Sequence, residues 1–413
     1  MNSRERVNAA LDHRTVDRVP VDFAAHRSSG IMAIGYSRLR KALGLARKPI
    51  RVFDVVQQLA VVDEDVLDRF GVDTVEMGRG FSRDDADWKE WTLPDGTPCL
   101  VPVWVDLRKE GQDWWLFNGE GRKTGVQKSG SLYFDQVYWP YAEGIPDDLG
   151  GLEKAIGSMM WSTASPPHVG RLGIDALAKG AAAFRASTDR AIVFLFGGNF
   201  YEMGQFVCGT ENFMMWMALE PEKVHAFLDA LLDLHLCNLR RLLGAVGSSI
   251  DIVLFGDDFG MQSGPQLSTT MYREFYKERE RSLWSEAKAL APVKTQLHCC
   301  GGVRPLLDDF IEAGLDSINP VQTNCAGMEP LGLKRDFGSR ITLWGGGCDT
   351  QTVLSRGSPA EVRAHVLERL PVMMEGSGFV FQQIHNIMAN VPPENIVAMF
   401  DAVAEFNRGW KRP

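Results

Sequence analysis

Short apolar runs alternate with amphipathic stretches along most of this chain. The runs occupy residues 19–23, 72–77, 191–196, 250–255, 293–297, 316–319, 341–344 and 379–382. Helical spacing of apolar positions separates several of them. After Gly301, the residues Val303, Leu306, Leu307, Phe310 and Ile311 recur at helical intervals. That pattern stops at Gly314, a residue suited to the position after a helix end. Ser358-Pro359-Ala360-Glu361 reads as a helix start, with a serine cap and proline in the first turn. Strand runs separated by crossover helices predict a parallel sheet. The whole chain, 1–413, is therefore read as one α/β domain, a (β/α)8 TIM barrel.

One region breaks the alternation. Residues 87–141 contain Trp88, Trp91, Trp104, Trp114, Trp115 and Trp139, with turn signals at Asp95-Gly96 and Asn118-Gly119 between β-prone pieces. This predicts a tryptophan-rich β-meander inserted after the second strand. It would act partly as a satellite core and partly as a lid over the barrel mouth. Adjacent residues in a strand face opposite ways, so Trp114 and Trp115 should divide between the interior and the mouth or a partner chain. A homodimer is the expectation, because exposed aromatic patches mark interfaces.

The candidate chemistry gathers where the runs end. His298 and Cys300 lie two apart in Q-L-H-C-C-G-G-V, and residues i and i+2 of a strand share a face. An imidazole and a thiol on one face suit a soft divalent metal, although paired cysteines at a strand end also occur as packing. Asp257 and Asp258 close the fourth run, and alternation allows at most one of them to face the barrel axis. Gln262 follows shortly. Cys348 closes the seventh run and His385 the eighth. His26 and Arg27 follow the first run, and Asn199 the third. Barrel enzymes collect catalytic side chains from several strand C-termini, so the recurrence points to an active site.

Composition narrows the class. The net charge is −9 over 413 residues, which argues against a nucleic-acid or anionic-membrane surface. The polar start, residues 1–18, is not read as a signal peptide, and no apolar stretch is long enough to span a bilayer. Seven scattered cysteines give no disulfide framework, so a reducing cytoplasm is the expected location.

Six blocks then carry a family resemblance. They are R-E-R-V-N-A-A-L-D-H-R-T-V-D-R-V-P-V-D-F, G-D-D-F-G-M-Q-S-G-P-Q-L-S with M-Y-R-E-F-Y, H-C-C-G-G-V, G-L-D-S-I-N-P-V-Q, G-G-G-C-D-T-Q-T-V-L and V-P-P-E-N-I. In this order they resemble the uroporphyrinogen decarboxylase-like superfamily, which implies a (β/α)8 barrel. The superfamily holds cofactor-free decarboxylases and zinc-dependent methyltransferases that work with corrinoid proteins. The decarboxylases carry R-Q-A-G-R after the first strand, where this chain has A-H-R-S-S-G-I with a single arginine, Arg27. His385, in I-H-N-I, matches the histidine of their G-H-G-I segment.

The methyltransferases carry His-x-Cys after the fifth strand, matched by His298 and Cys300, and a cysteine after the eighth, where His385 stands. The resemblance thus implies zinc on His298, Cys300 and His385, with Asp257 or Asp258 managing protons. His26, Arg27, Asn199, Gln262 and Cys348 would hold a small-molecule substrate. A corrinoid would come on a separate protein, because the nearest approach to Asp-x-His-x-x-Gly, at Asp233 and His235, lacks the glycine and sits in a helical pattern. In the decarboxylase alternative Arg27 holds a carboxylate and His385 or an aspartate supplies a proton. A non-catalytic small-ligand barrel is the third reading.

Overall fold

The computed structural model describes residues 1–82, 84–164 and 173–410. Seven strands form one all-parallel sheet in the order Phe379–Val380, Thr342–Trp344, Ser317–Asn319, Lys294–His298, Ile252–Gly256, Ala191–Gly197, Thr74–Glu76. Each coincides with one of the expected runs. The remaining run, 19–23, joins the two edges. Asp22 N donates to Phe381 O and Phe381 N to Pro20 O, both at 2.8 Å, while Asp73 N donates to Val21 O at 2.7 Å. The sheet therefore curls on itself in the TIM-barrel manner.

The crossovers form where the apolar spacing predicted them. Helix Leu307–Ala313 ends at Gly314 with φ of 100°, a conformation that favours glycine. Helix Pro359–Met374 starts with a reciprocal capping box between Ser358 and Glu361. The core is apolar from both sides of the sheet: Val193, Phe194, Ile252, Val253, Ile318, Leu343 and Phe379 are all at most 1% exposed.

Parallel register matters most for function. Gly256 pairs with His298, and His298 pairs with Asn319. The C-terminal ends of three neighbouring strands therefore lie level, and the residues just beyond them share one mouth.

Residues 88–136 form β-structure, but not one meander. Trp88–Thr92 and Pro98–Pro102 join a sheet with Ile50–Asp54 and Leu59–Ala60, which precede the second barrel strand. Asp106–Glu110, Asp113–Phe117, Lys123–Gln127 and Asp135–Gln136 form a second sheet. Trp114 packs edge-on against Trp91 with ring centroids 5.7 Å apart, while Trp115 stacks under the Lys123 ammonium at 4.0 Å. The two indoles thus take opposite faces, as strand alternation requires. At the second turn it is Gly121, not Gly119, that takes positive φ, because Asn118 Oδ1 accepts from Glu120 N and Arg122 N and folds the loop around itself.

Candidate metal centre

Strand Lys294–His298 ends at the first donor. The chain then turns through Cys299 and Cys300, whose side chains part. Cys299 is buried, and its Sγ accepts from Phe259 N at 3.3 Å. Cys300 points back, placing Sγ 3.4 Å from His298 Nε2. Four contacts hold this turn. Cys300 N donates to Asp258 Oδ1 at 2.7 Å, Gly301 N to Gln322 Oε1 at 2.8 Å, and Gly302 N to Met261 O at 2.8 Å. The fourth is backbone on backbone. A Cβ on Gly301 would lie 2.3 Å from the Gly260 carbonyl carbon, so only glycine lets the two loops meet.

His385 arrives from the other side of the mouth, its ring 5.7 Å from that of His298. One ligand atom each from His298, Cys300 and His385 lies within 4.8 Å of the other two. This is the only such group of three among the described residues. Both imidazoles have Nδ1 facing a side-chain oxygen. His385 Nδ1 meets Asn386 Oδ1 at 2.8 Å and His298 Nδ1 meets Asn319 Oδ1 at 3.0 Å, leaving each Nε2 to face the group. Burial, and then the neighbouring His298, push the His385 pKa down to about 4. Burial also lowers that of His298, against Asp258 and Asn319, which favour its charged form. Neutral imidazoles are what a metal needs. Burial, followed by the Asp258 carboxylate, pushes the Cys300 thiol up. Two neutral nitrogens and one sulfur fit the three-ligand, open-position pattern of a catalytic zinc.

The two aspartates divide. Asp258 lies at the centre, with Oδ1 3.7 Å from His298 Nε2. Asp257 turns away and is 1% exposed. Its carboxylate accepts from the backbone N–H groups of Phe200, Tyr201 and Glu202 at 2.7–2.9 Å, at the N-terminus of helix Tyr201–Cys208. Burial raises its pKa to about 7, while those three donors hold it down.

The other expected residues are spread around the mouth and its wall. His26 is buried with its ring 6.5 Å from that of His298. Arg27 is ion-paired with Asp54 through Nε. Asn199 Nδ2 donates to Glu202 Oε2 at 2.7 Å. Gln262 is exposed on the rim and accepts from Cys325 Sγ at 3.2 Å. Cys348 is fully buried in the wall and is not a member of the metal-competent group.

Three residues at the site were not singled out in the sequence. Glu202 is half-buried, and burial, then Asp258 and Asp257, raise its pKa well above the ordinary value. The pattern Gly197-Gly198-Asn199-x-x-Glu202 at a strand end was the available signal. Asn319 and Asp22 lay inside apolar runs and passed as strand residues. A cavity of about 1150 Å³ lies elsewhere, along Arg51, Phe53, Glu76, Arg79 and Arg190, and its lining includes none of the three donors.

Similarity to known proteins agrees with the barrel fold. The sequence model of the uroporphyrinogen decarboxylase (URO-D) family matches residues 192–406. A methylated-thiol–coenzyme M methyltransferase of Methanosarcina mazei is 34% identical over 202 residues, 48% of this chain and 49% of that protein. A uroporphyrinogen decarboxylase of Methylococcus capsulatus is 27% identical over 197 residues, 47% of this chain and 51% of that protein. The matched region thus spans about half the length of these curated relatives. In fold, a solved methyltransferase from Methanosarcina mazei superposes with a TM-score of 0.56 at 17% identity, covering 98% of this chain and 99% of its own.

Proposed function

The chain belongs to the uroporphyrinogen decarboxylase family, and on that premise we propose that it is a zinc-dependent methyltransferase moving a methyl group between a small O- or N-methylated compound and a corrinoid or thiol acceptor. The observation that carries this reading is the convergence of His298, Cys300 and His385 within 4.8 Å. Zinc held there would supply a Lewis acid with an open position for the heteroatom that gives or takes the methyl group. The chain's own residues do the rest. Asp258, hydrogen-bonded to Cys300 N and close to His298, would take the proton of an incoming thiol and return it to the oxygen or nitrogen that loses the methyl group. Burial, then the neighbouring Asp258 and Asp257, favours the protonated form of Glu202. Asp257 positions the helix that carries Glu202.

Arg27 bears on the alternative. A cofactor-free decarboxylase needs a cation aimed at the substrate carboxylate, and here Arg27 faces Asp54. The likeness to uroporphyrinogen decarboxylases keeps that chemistry as the second reading. The methyltransferase relative, named for a methylated thiol and coenzyme M, supports methyl transfer that involves a thiol. The corrinoid belongs on a separate protein in this reading. His235, the nearest approach to a cobalamin ligand, is a buried residue of helix Pro221–Val246.

The single-domain reading extends to residues 87–141 as a lid. Phe134 N donates to Val56 O at 3.1 Å, and the Tyr133 hydroxyl reaches Met388 Sδ at 2.8 Å, three residues beyond His385. Substrate contacts then fall to exposed Gln262 and to Asn199, with His26 and Cys348 behind them. A second copy docking on exposed Val137 and Trp139 completes the reading, and light scattering tests it.

The main test combines metal and turnover. Purified protein should carry stoichiometric zinc, and Cys300→Ser should lose it while keeping its circular dichroism. Free cob(I)alamin offered with methoxy and methylamine compounds should yield methylcobalamin, and His298→Ala should not. Carbon dioxide from uroporphyrinogen without methyl transfer would establish the alternative instead.

A further inference from the structure

We propose that Asn319 is a positioning residue that locks His298 in the tautomer with its proton on Nδ1, and that Ser28 links this lock to the buried pair His26 and Asp22. The consequence for zinc rests on the reading above, but the tautomer itself requires no metal.

Donor and acceptor counting starts from groups that have no freedom. Asn319 Nδ2 donates to Trp344 O at 3.0 Å and to Gln382 Oε1 at 2.8 Å. Gln382 Nε2 in turn donates to Ser28 O at 3.3 Å. Backbone carbonyls only accept, so both amides have a single orientation. Asn319 Oδ1 must therefore be the atom facing His298 Nδ1 at 3.0 Å and Ser28 Oγ at 2.8 Å. A carbonyl oxygen cannot donate. His298 must then carry its proton on Nδ1, and the Ser28 hydroxyl must give its only proton to Asn319. Ser28 is left to accept from His26 Nδ1, 3.0 Å away. The chain ends at His26, whose Nε2 lies 3.1 Å from Asp22 Oδ2 outside hydrogen-bond geometry, while that oxygen accepts from Trp344 Nε1 at 2.8 Å.

Asn319, Ser28 and Asp22 are at most 2% exposed, so no solvent substitutes for a lost partner. The opposite His298 tautomer would turn a lone pair toward the lone pairs of Asn319 Oδ1 and point an N–H at Cys300 Sγ. The lock thus delivers the Nε2 lone pair to the ligand cluster before any metal arrives. Asn319 can do this because strand register places it beside His298 and the sheet beyond it supplies two acceptors for its amide.

The test is nitrogen NMR of the metal-free protein labelled with 15N-histidine at neutral pH. The His298 resonances are identified as those missing from His298→Gln. Wild type should show a protonated Nδ1 and an unprotonated Nε2. Asn319→Leu should show mixed tautomers, and its zinc affinity, measured by competition with a chromophoric chelator, should fall about 10–100-fold. Ser28→Ala keeps the Asn319–His298 bond and should retain the His298 tautomer, but it takes the acceptor from His26 Nδ1 and should move the His26 nitrogen resonances; unmoved His26 resonances would remove Ser28 from the chain. A wild-type His298 protonated on Nε2 overturns the proposal, as does an Asn319→Leu protein with unchanged tautomer or wild-type zinc affinity. If Asn319→Leu fails to fold, the wild-type tautomer decides alone. A wild type that shows the Nδ1 proton yet binds no zinc would uphold the lock and remove the metal reading.

Discussion

His235 illustrates how burial decides the role of a residue. Its sequence context approaches a cofactor motif, yet it lies 8% exposed on a helix and its Nε2 meets Asn199 O at 3.0 Å. Burial lowers its pKa to about 4, against the hydrogen bond to Asn199, which favours the charged form. The unfolded chain takes up that proton near 6.5 and the folded protein does not. Stability is therefore complete above about pH 6.5 and is lost as pH falls toward 4, by up to about 1.4 kcal/mol per pH unit. Urea titrations at pH 7 and pH 5 should show this loss in wild type and a smaller one in His235→Gln. Identical pH slopes would contradict it. At the same scale, the spacing of two put Cys300 beside His298 and Cys299 away from it, although the strand ends at His298 and it is the turn after it that brings the thiol back. That relation is local, and so it was legible.

Helix Tyr201–Cys208 depends on an acid from another element. Asp257 follows strand Ile252–Gly256 and satisfies three backbone donors at the helix start. Alternation allowed only one of Asp257 and Asp258 into the mouth. It did not say which, because the answer lies in a helix some fifty residues earlier. Asp257→Ala leaves those N–H groups unpaired in the interior and should cost about 3 kcal/mol or more. Asp257→Asn keeps one acceptor and should cost less. Thermal melts and zinc analysis check this: both variants should melt lower and retain metal. Asp258→Ala should melt near wild type and lose turnover. Strand Ile50–Asp54 is another element the pattern missed. Its burial alternates over only five residues, and its partner Pro98–Pro102 sits in the tryptophan-rich segment.

Closure of the barrel is a property of the whole molecule. Asp73 is fully buried where the 19–23 run meets strand Thr74–Glu76. It binds Arg6 Nη1 of the first helix at 2.6 Å, Arg18 through two bonds at 2.8 Å, and Val21 N at 2.9 Å. Asp73→Ala would leave the buried Arg6 guanidinium with Asp17 as its remaining carboxylate and Val21 N without its acceptor, and should cost about 3 kcal/mol. Asp401→Ala, which breaks an exposed pair with Arg69, should cost about 1 kcal/mol or less. Denaturation midpoints of the two variants measure the contrast. Equal shifts would mean that the Asp73 network does not hold the barrel shut.

The sequence by itself determined the alternation of strands and helices, the helix ends at Gly314 and Ser358, and the adjacency of His298 and Cys300. All of these rest on periods of two or 3.6 residues, on caps, or on a turn within a few positions, so each is decided by neighbours in the chain. Tertiary structure alone decided which distant groups meet. It brought His385 to the His298–Cys300 turn, paired Arg27 with Asp54, gave Asp257 to a helix and Asp258 to the mouth, and set Asn319 against His298. Those contacts depend on the level register of parallel strands and the curl of the sheet, and no local pattern encodes which loop ends will face one another across a barrel.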